Sequence, residues 1–257
     1  MRMSRIAIVL GSQCESVSER IDVQEVLPYS QIDGYPEIEQ TVSGHAFEVL
    51  MGTLDGVSVY CYNGRAHRYQ GLSAYEVSAM VRHAYHHGCD TLLLVIGVAT
   101  LAEDLEVGET LIATDHINYT DDSPLVGPTP LFPDDVPFVD MCDAYDPGLR
   151  ELAKRVADEQ GIALREGAMV CIVGPQFLTP LEVRMFNSLG CKVVTLSMAA
   201  EVIQARALGM RVLAIAPVTS RAGVRVQRKT YDEMMGEPPQ VLGDLVAGIV
   251  RELGAGA

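Results

Sequence analysis

Short apolar runs alternate with stretches of helical periodicity along the chain, and this alternation limits the fold more than any other feature. We predict buried strands at residues 5–10, 57–61, 90–98, 110–114, 168–173, 192–196 and 211–216. Apolar residues at helical spacing predict helices over residues 74–87, 146–161, 180–189, 199–208 and 239–253. Strands that alternate with helices favour an α/β protein in which helices flank a central sheet. In such sheets, ligands bind beyond the carboxyl ends of the strands.

The composition argues against several classes of partner. The 257-residue chain is 48% hydrophobic, enough for a sizeable core, and its formal net charge is -15. Binding a nucleic-acid backbone requires a basic face, so we expect no nucleic acid partner, although a few local basic groups can bind a small anion. The longest apolar runs, such as residues 91–100, are too short to span a bilayer. The six cysteines lie far apart with no CxxC pair and no signal peptide, which favours a cytoplasmic location.

A cluster of polar side chains follows the predicted strand at residues 57–61. After a turn at Asn63-Gly64 come Arg65, His67 and Tyr69, spaced two apart. Alternate residues of an extended chain point to the same side, so these three side chains would project together. A guanidinium fork, an imidazole and a phenol suit an oxyanion. Taken alone, the residues fit an anion site and a solvated hairpin end equally well.

Other candidate residues are open to a functional and a structural interpretation. The Gly11-Ser12 loop after the first strand is typical of anion cradles and also of ordinary strand-ending turns. His83 and His87 have the i, i+4 spacing of metal ligands, but no third ligand accompanies them, so we favour a polar helix end. Residues 27–36 are predicted to be irregular, and residues 124–137, rich in Pro and Asp, to form a long loop.

Several motifs, in this order, resemble those of the trimeric purine nucleoside and methylthioadenosine phosphorylases. They are Gly11-Ser12, Gly44-His45, Gly64-Arg65-Ala66-His67-Arg68-Tyr69-Gln70-Gly71, Glu106-Val107-Gly108, Asp115-His116-Ile117-Asn118, Asp143-Ala144-Tyr145-Asp146, Gly174-Pro175-Gln176-Phe177, Ser197-Met198-Ala199-Ala200-Glu201-Val202 and Ala205-Arg206. The resemblance covers nearly the whole chain. It implies a single domain over residues 1–257, with a mixed, partly barrel-like central sheet flanked by helices. It further implies a homotrimer that needs no metal or organic cofactor.

The same resemblance implies phosphorolysis, in which phosphate attacks the anomeric carbon of a nucleoside and releases the free base. The residues implied to bind phosphate are Ser12, Arg65, His67, Gly97 and Ser197. Three of these, Ser12, Arg65 and His67, are the candidate catalytic residues. The residues implied to contact the nucleoside are His45 and Tyr69 near the pentose, Phe177 stacked on the base, and Leu178, Leu196, Ser220 and Tyr231.

The departures from the family pattern concern the nucleoside rather than the phosphate. Leu178 stands where the family has a Glu that binds the edge of a 6-oxopurine, and Ser220 stands where an Asn or Asp reads the purine. Loss of a buried hydrogen-bonding partner disfavours ordinary inosine and guanosine as substrates. Two chemical alternatives remain open: a different base, such as a pyrimidine or modified purine, or a non-standard 5′ position.

The 5′ alternative rests on the segment around Tyr231, which replaces a family His that meets the 5′ hydroxyl. The neighbouring Asp232 and Glu233 would suit a 5′ ammonium group, and a 5′-deoxy sugar is a second candidate. The two acids equally suit the solvated first turn of a helix. A third alternative is a non-catalytic protein that binds nucleoside or phosphate, which the retention of the phosphate residues argues against.

Overall fold

The computed structural model describes residues 5–12, 14–38, 46–127, 138–225 and 241–256. The strands are β1 (Arg5–Leu10), β2 (Asp22–Pro28), β3 (Glu48–Leu54), β4 (Val57–Asn63), β5 (Cys89–Val95), β6 (Val98–Thr100), β7 (Thr110–Tyr119), β8 (Leu164–Ile172), β9 (Cys191–Thr195) and β10 (Arg211–Arg221). The helices are α1 (Glu15–Ser18), α2 (Ala74–Val77), α3 (Ala79–His86), α4 (Pro147–Gln160), α5 (Pro180–Ser188), α6 (Ala199–Ala207) and α7 (Leu242–Ala255). The expected α/β class with a mixed central sheet and flanking helices is confirmed.

The described strands form one sheet that is open at one end and closed into a barrel at the other. Their order is β2-β3-β4-β1-β5-β10-β6-β9-β8-β7, with a further pairing between β10 and β7. Strand β10 runs parallel to β5 up to Ile215 and antiparallel to β7 from Ile215 to Pro217. It then continues parallel to β6 from Val218 to Arg221. Because β10 takes part in all three ladders, it joins the open half to the barrel.

Both faces of the central strands are buried, which explains their continuous apolar runs. On β5, Leu92 and Leu94 pack on one side of the sheet with α3 and α6. Leu93 and Val95 pack on the other side with α4 and α7. A smaller cluster beneath α5 contains Phe186. No helix within the described part of the chain is long and apolar enough to cross a membrane.

Two predicted elements are interrupted in the structure. The helix predicted over residues 74–87 breaks at Ser78, where Arg82 and the Ser78 hydroxyl both donate to the Tyr75 carbonyl, at 2.8 and 3.0 Å. The strand predicted at residues 90–98 breaks after Val95 and resumes at Val98. At the second break the Ile96 amide donates to the distant Ile215 carbonyl at 3.0 Å, whereas the contacts at the first break are local. Apolar periodicity predicts neither kind of hydrogen bond.

The edge of the sheet was predicted least well. Strand β2 was missed, and its last two residues lie in the segment predicted to be irregular. This strand is exposed over most of its length and therefore lacks an alternating apolar pattern. Strand β7 runs to Tyr119, beyond the predicted end at residue 114, because it keeps pairing with β8. The helix predicted from residue 239 begins at Leu242, and residues 239–240 lie outside the described residues.

Candidate active site

A cavity of about 360 Å³ lies where the open half of the sheet meets the barrel. Ten of the candidate residues line it: Ser12, Arg65, His67, Tyr69, Gly97, Phe177, Leu178, Leu196, Ser197 and Ser220. The other two, His45 and Tyr231, lie outside the described residues, as do Asp232, Glu233 and residues 128–137 of the predicted long loop. The cavity lies at the carboxyl ends of strands β1, β4, β5 and β9, as expected for an α/β sheet.

Arg65 is held inside the protein at one end of the cavity. Its side chain is only 1% exposed. Atom Nη1 donates to Ser197 Oγ and to Glu201 Oε1, both at 3.2 Å, and Nη2 donates to the Val9 carbonyl at 3.2 Å. The alternative hypothesis that Arg65 lies at a solvated hairpin end is therefore wrong.

The chain between β4 and α2 is not extended throughout, so the reason given for the common projection of Arg65, His67 and Tyr69 is wrong. Gly64 turns the backbone with φ 108°, and the Tyr29 hydroxyl fixes its carbonyl at 2.8 Å. A 3₁₀ helix, Arg68–Gln70, follows. The His67 ring stacks on the Tyr69 ring with centroids 4.9 Å apart. All three side chains nevertheless reach the cavity, through this compact turn.

Ser197 lies in the short link between β9 and α6. Since its Oγ accepts a hydrogen bond from Arg65, the hydroxyl hydrogen is available to donate into the cavity. The Cys171 thiol donates to the Ser197 carbonyl at 3.1 Å, and burial raises the pKa of that thiol to about 12. The next residue, Met198, has φ 97°, a conformation that side chains rarely adopt. The link is therefore fixed by its neighbours rather than by its own preference.

Glu201 is a residue of this site to which the sequence analysis gave no role. Its carboxylate is 2% exposed and accepts from Arg65 through Oε1 and from the Met198 amide through Oε2, at 2.9 Å. Burial raises the pKa of this carboxyl, and the Arg65 guanidinium acts in the opposite direction. The available signal was an acid on the same face of the predicted helix as Ala205 and Leu208, both buried.

Much of the remaining cavity lining is apolar, although Gln176, Thr219 and Ser220 also line it. We call the part around Leu178 the apolar end, and the aliphatic side chains of the lining are Ile96, Val98, Ile172, Leu178, Val194 and Leu196. Leu178 and Leu196 pack against the cluster beneath α5. The Arg221 guanidinium turns away, donating to the Ala102 and Leu105 carbonyls at 3.0 and 3.2 Å. Among the residues that the structure describes, no Asp or Glu lines the cavity.

The histidines at the end of α3 have local partners. His83 Nδ1 lies 2.7 Å from the Tyr62 hydroxyl, and His87 Nδ1 lies 2.8 Å from the His83 carbonyl. Burial, with smaller contributions from His87 and His86, lowers the pKa of His83 to about 4. Over the described ranges, no group of three His, Cys, Asp or Glu side chains could hold a metal ion.

Comparison with known proteins identifies the family. A model described as the phosphorylase superfamily matches residues 5–251. Purine nucleoside phosphorylase 1 of Geobacillus stearothermophilus is 36% identical over 253 residues, covering 97% of this chain and 91% of that protein. Purine nucleoside phosphorylase of Mycobacterium tuberculosis is 36% identical over 232 residues, covering 90% of this chain and 81% of that protein.

Solved structures agree with the sequence relatives. The purine nucleoside phosphorylase of Schistosoma mansoni in complex with acetate has a TM-score of 0.83 and 29% identity, covering 97% of this chain and 90% of that one. A schistosoma purine nucleoside phosphorylase in complex with hypoxanthine has a TM-score of 0.83 and 28% identity, with coverages of 97% and 90%. The chain belongs to the nucleoside phosphorylase family. It is an enzyme of the pentosyltransferase class.

Proposed function

We propose that this enzyme cleaves the N-glycosidic bond of a nucleoside with inorganic phosphate. The products are a free base and a pentose 1-phosphate. The observation that carries the proposal is the contact between Arg65 and Ser197 in the wall of a cavity of about 360 Å³ whose lining is otherwise largely apolar. Ser12, His67 and Gly97, to which we also assign phosphate, line the same cavity.

The proposed mechanism uses this end to hold the nucleophile. A phosphate oxygen forms the new bond to the anomeric carbon while the bond to the base nitrogen breaks. The bonding electron pair leaves with the base, which takes up a proton. Donors fixed in a buried site stabilise the anion and hold it close to the cationic anomeric carbon. Ser12, Arg65 and His67 have this role, and the reaction needs no cofactor other than phosphate as co-substrate.

We further propose that the base specificity differs from that of ordinary 6-oxopurine phosphorylases. The edge of such a purine carries an N–H donor, and an unpartnered buried donor costs about 1–3 kcal/mol. The Leu178 side chain offers no acceptor, and no carboxylate from the described residues lines the cavity. The relatives are named purine nucleoside phosphorylases, so a purine nucleoside is the reference substrate against which this proposal is tested.

The candidate substrates are a pyrimidine nucleoside, a modified purine nucleoside, and a nucleoside with a 5′-amino or 5′-deoxy sugar. The apolar end favours a changed base. The 5′ branch depends on Tyr231, Asp232 and Glu233, outside the described residues. In each case we assign His45 and Tyr69 to the pentose and Phe177 to the base, with Leu196 and Ser220 as further base contacts.

A nucleoside panel tests the proposal. The protein is incubated with inosine, guanosine, adenosine, uridine, thymidine and their 5′-amino and 5′-deoxy forms, with and without phosphate, and free base is measured. We expect phosphate-dependent release, with inosine and guanosine among the poorer substrates. Lack of phosphate-dependent release from every nucleoside would leave only the non-catalytic binding alternative. Efficient release from inosine would contradict the altered specificity alone.

We also propose a homotrimer that acts in the cytoplasm. The trimer is suggested by the family resemblance, which also implies an active site near a subunit interface to which the loop at residues 124–137 would contribute. Light scattering of the purified protein tests it, since a trimer has three times the 27.8 kDa mass of the chain. A monomeric mass at enzyme-assay concentrations would contradict the trimer.

A further inference from the structure

The Glu201 carboxylate connects two parts of the phosphate end that are far apart in sequence. One oxygen accepts from Arg65 Nη1 at 3.2 Å, and the other accepts from the Met198 amide at 2.9 Å. Arg65 follows β4 in the open half of the sheet, whereas Met198 precedes α6 on the barrel side. A carboxylate has two acceptor atoms and no donor, so it satisfies both groups at once.

We propose that Glu201 is a positioning residue that sets the Arg65 guanidinium and the Ser197 hydroxyl for phosphate. This inference rests on the proposed role of Ser12, Arg65, His67 and Ser197 in binding phosphate. Glu201 lines no part of the main cavity and acts through its two partners. Other groups also hold the link next to Ser197, through the Cys171 thiol and the contact of the Tyr145 hydroxyl with Met198 Sδ at 3.5 Å. Among these three groups, Glu201 alone also contacts Arg65.

Two effects of the Glu201 charge oppose each other. The carboxylate offsets the charge of Arg65, so its removal would strengthen attraction for an anion. It also fixes the direction of the guanidinium, which has to keep its bond to Ser197 Oγ for that hydroxyl to donate into the cavity. Glutamine in its place offers one oxygen and one NH₂, so Arg65 or the Met198 amide would face a donor. Two buried donors that face each other repel, and the side chains are displaced. We therefore expect the loss of positioning to affect phosphate binding more than the gain in positive charge.

The test is direct binding of inorganic phosphate, measured by calorimetry on the full chain, together with steady-state kinetics on a nucleoside that the wild type cleaves. We expect Glu201→Gln to weaken phosphate binding at least about tenfold and to change the nucleoside KM by less than about threefold. Glu182→Gln is the matched control, because Glu182 makes the same bond from its third helical position, to the Thr179 amide at 2.7 Å, outside the cavity. It should leave the phosphate affinity unchanged.

A mutant cycle separates positioning from a general loss of structure. Because Glu201 acts partly through Arg65, adding Glu201→Gln to Arg65→Met should weaken phosphate binding by a smaller factor than Glu201→Gln does alone, and the remainder reports the contact with the Met198 amide. Should the single Gln variant fail to fold, Glu201→Asp keeps the buried charge and shortens the arm by one methylene, and it should weaken phosphate binding in the same direction.

The outcomes distinguish a failure of the proposed function from a failure of the positioning role of Glu201. If the wild type binds no phosphate, the proposed function fails and the role of Glu201 fails with it. If the wild type binds phosphate but Glu201→Gln binds it equally well or more tightly, only the positioning role is overturned. An equal loss in Glu182→Gln, or an undiminished effect of Glu201→Gln in the Arg65→Met background, also overturns it.

Discussion

The cavity end around Arg65 is built from polar side chains with fixed partners, whereas the end around Leu178 is built from aliphatic side chains. The Arg65 guanidinium bonds to the Val9 carbonyl, Ser197 and Glu201, and all three contacts are buried or partly buried. Leu178 and Leu196 make only packing contacts with the cluster beneath α5. Hydrogen-bonding groups select a ligand by its charge and by the direction of its polar atoms, whereas apolar packing selects it mainly by shape. The structure therefore defines the anion more narrowly than the leaving base.

The largest expected effect follows from removing the charge at the polar end. Arg65→Met should lower kcat/KM for phosphate about a hundredfold or more, since it removes a fixed cationic donor. It also leaves Glu201 buried without its ion partner, a change that typically destabilises a protein by about 3–5 kcal/mol. Phosphate titration of the rate and urea unfolding measure the two effects.

Arg251→Met is the matched control for this substitution. The Arg251 side chain is 58% exposed and pairs with Asp55 at 3.4 Å on the surface. Such pairs contribute little, so the control should show neither effect. Unchanged phosphate dependence in Arg65→Met would show that the polar end does not bind the nucleophile, and the contrast between the two ends would lose its functional meaning.

The second effect tests the apolar end by giving it an acceptor. Leu178→Glu should raise kcat/KM for inosine about tenfold relative to the wild type, because one buried hydrogen bond to a charged group stabilises by about 1.5–3 kcal/mol. The phosphate KM should stay within about twofold if the two ends are independent. Competition between inosine and the best substrate of the wild type measures the change in specificity.

Leu181→Glu makes the same substitution on an exposed leucine of α5, 67% accessible and outside the cavity lining, and should leave the specificity unchanged. Weaker phosphate binding in Leu178→Glu would show that the two ends are coupled. Unaltered inosine cleavage would show that residue 178 does not face the base.

The smallest expected effect is on the pH dependence of the free energy of unfolding, through His116. His116 Nδ1 lies 3.0 Å from the Tyr145 hydroxyl, which in turn contacts Met198, and burial lowers the pKa of His116. The unfolded chain binds this proton near pH 6.5 and the folded protein resists it. The contribution of His116 to stability is therefore present above pH 6.5 and is lost as the pH falls through its lower folded pKa.

Urea unfolding between pH 7.5 and 5 measures this dependence. His116→Gln should reduce the loss of stability on acidification relative to the wild type. Identical pH profiles for His116→Gln and the wild type would show that His116 does not link acid to the support of Met198.

The sequence predicted the interior of the fold better than its edge, for a physical reason. Strands β1, β5 and β10 are buried on both faces over most of their length, so most of their positions are apolar and the pattern is visible. Strand β2 is exposed and is held by its ladder with β3, which is made by the backbone and leaves little trace in side-chain type. The break after Val95 likewise depends on a partner distant in the chain, whereas the break at Ser78 involves hydrogen bonds to the nearby Tyr75 carbonyl that apolar spacing does not reveal.

Most of the site residues were predicted from the family resemblance rather than from residue spacing. The motifs identified Ser12, Arg65, His67 and Ser197 as one group, and the structure places them around one cavity. Residue spacing alone predicted an extended chain after Gly64, which is wrong because a 3₁₀ helix forms there. Glu201 was missed because an acid in the first turn of a helix is usually a solvated residue that complements the dipole.

Strand β10 has a consequence for how specificity can change. The loops after β1 and β4, in the open half, supply Ser12 and Arg65, whereas the barrel and its loops supply Leu178, Leu196 and Ser220. A single strand joins these halves through backbone ladders on both sides, so their relative placement does not depend on the side chains that line the cavity. The barrel side also supplies Ser197, so it is substitutions at Leu178 and Ser220 that can change the choice of base without moving the nucleophile. Such an architecture allows one reaction to be carried over to new substrates by a few changes at a time.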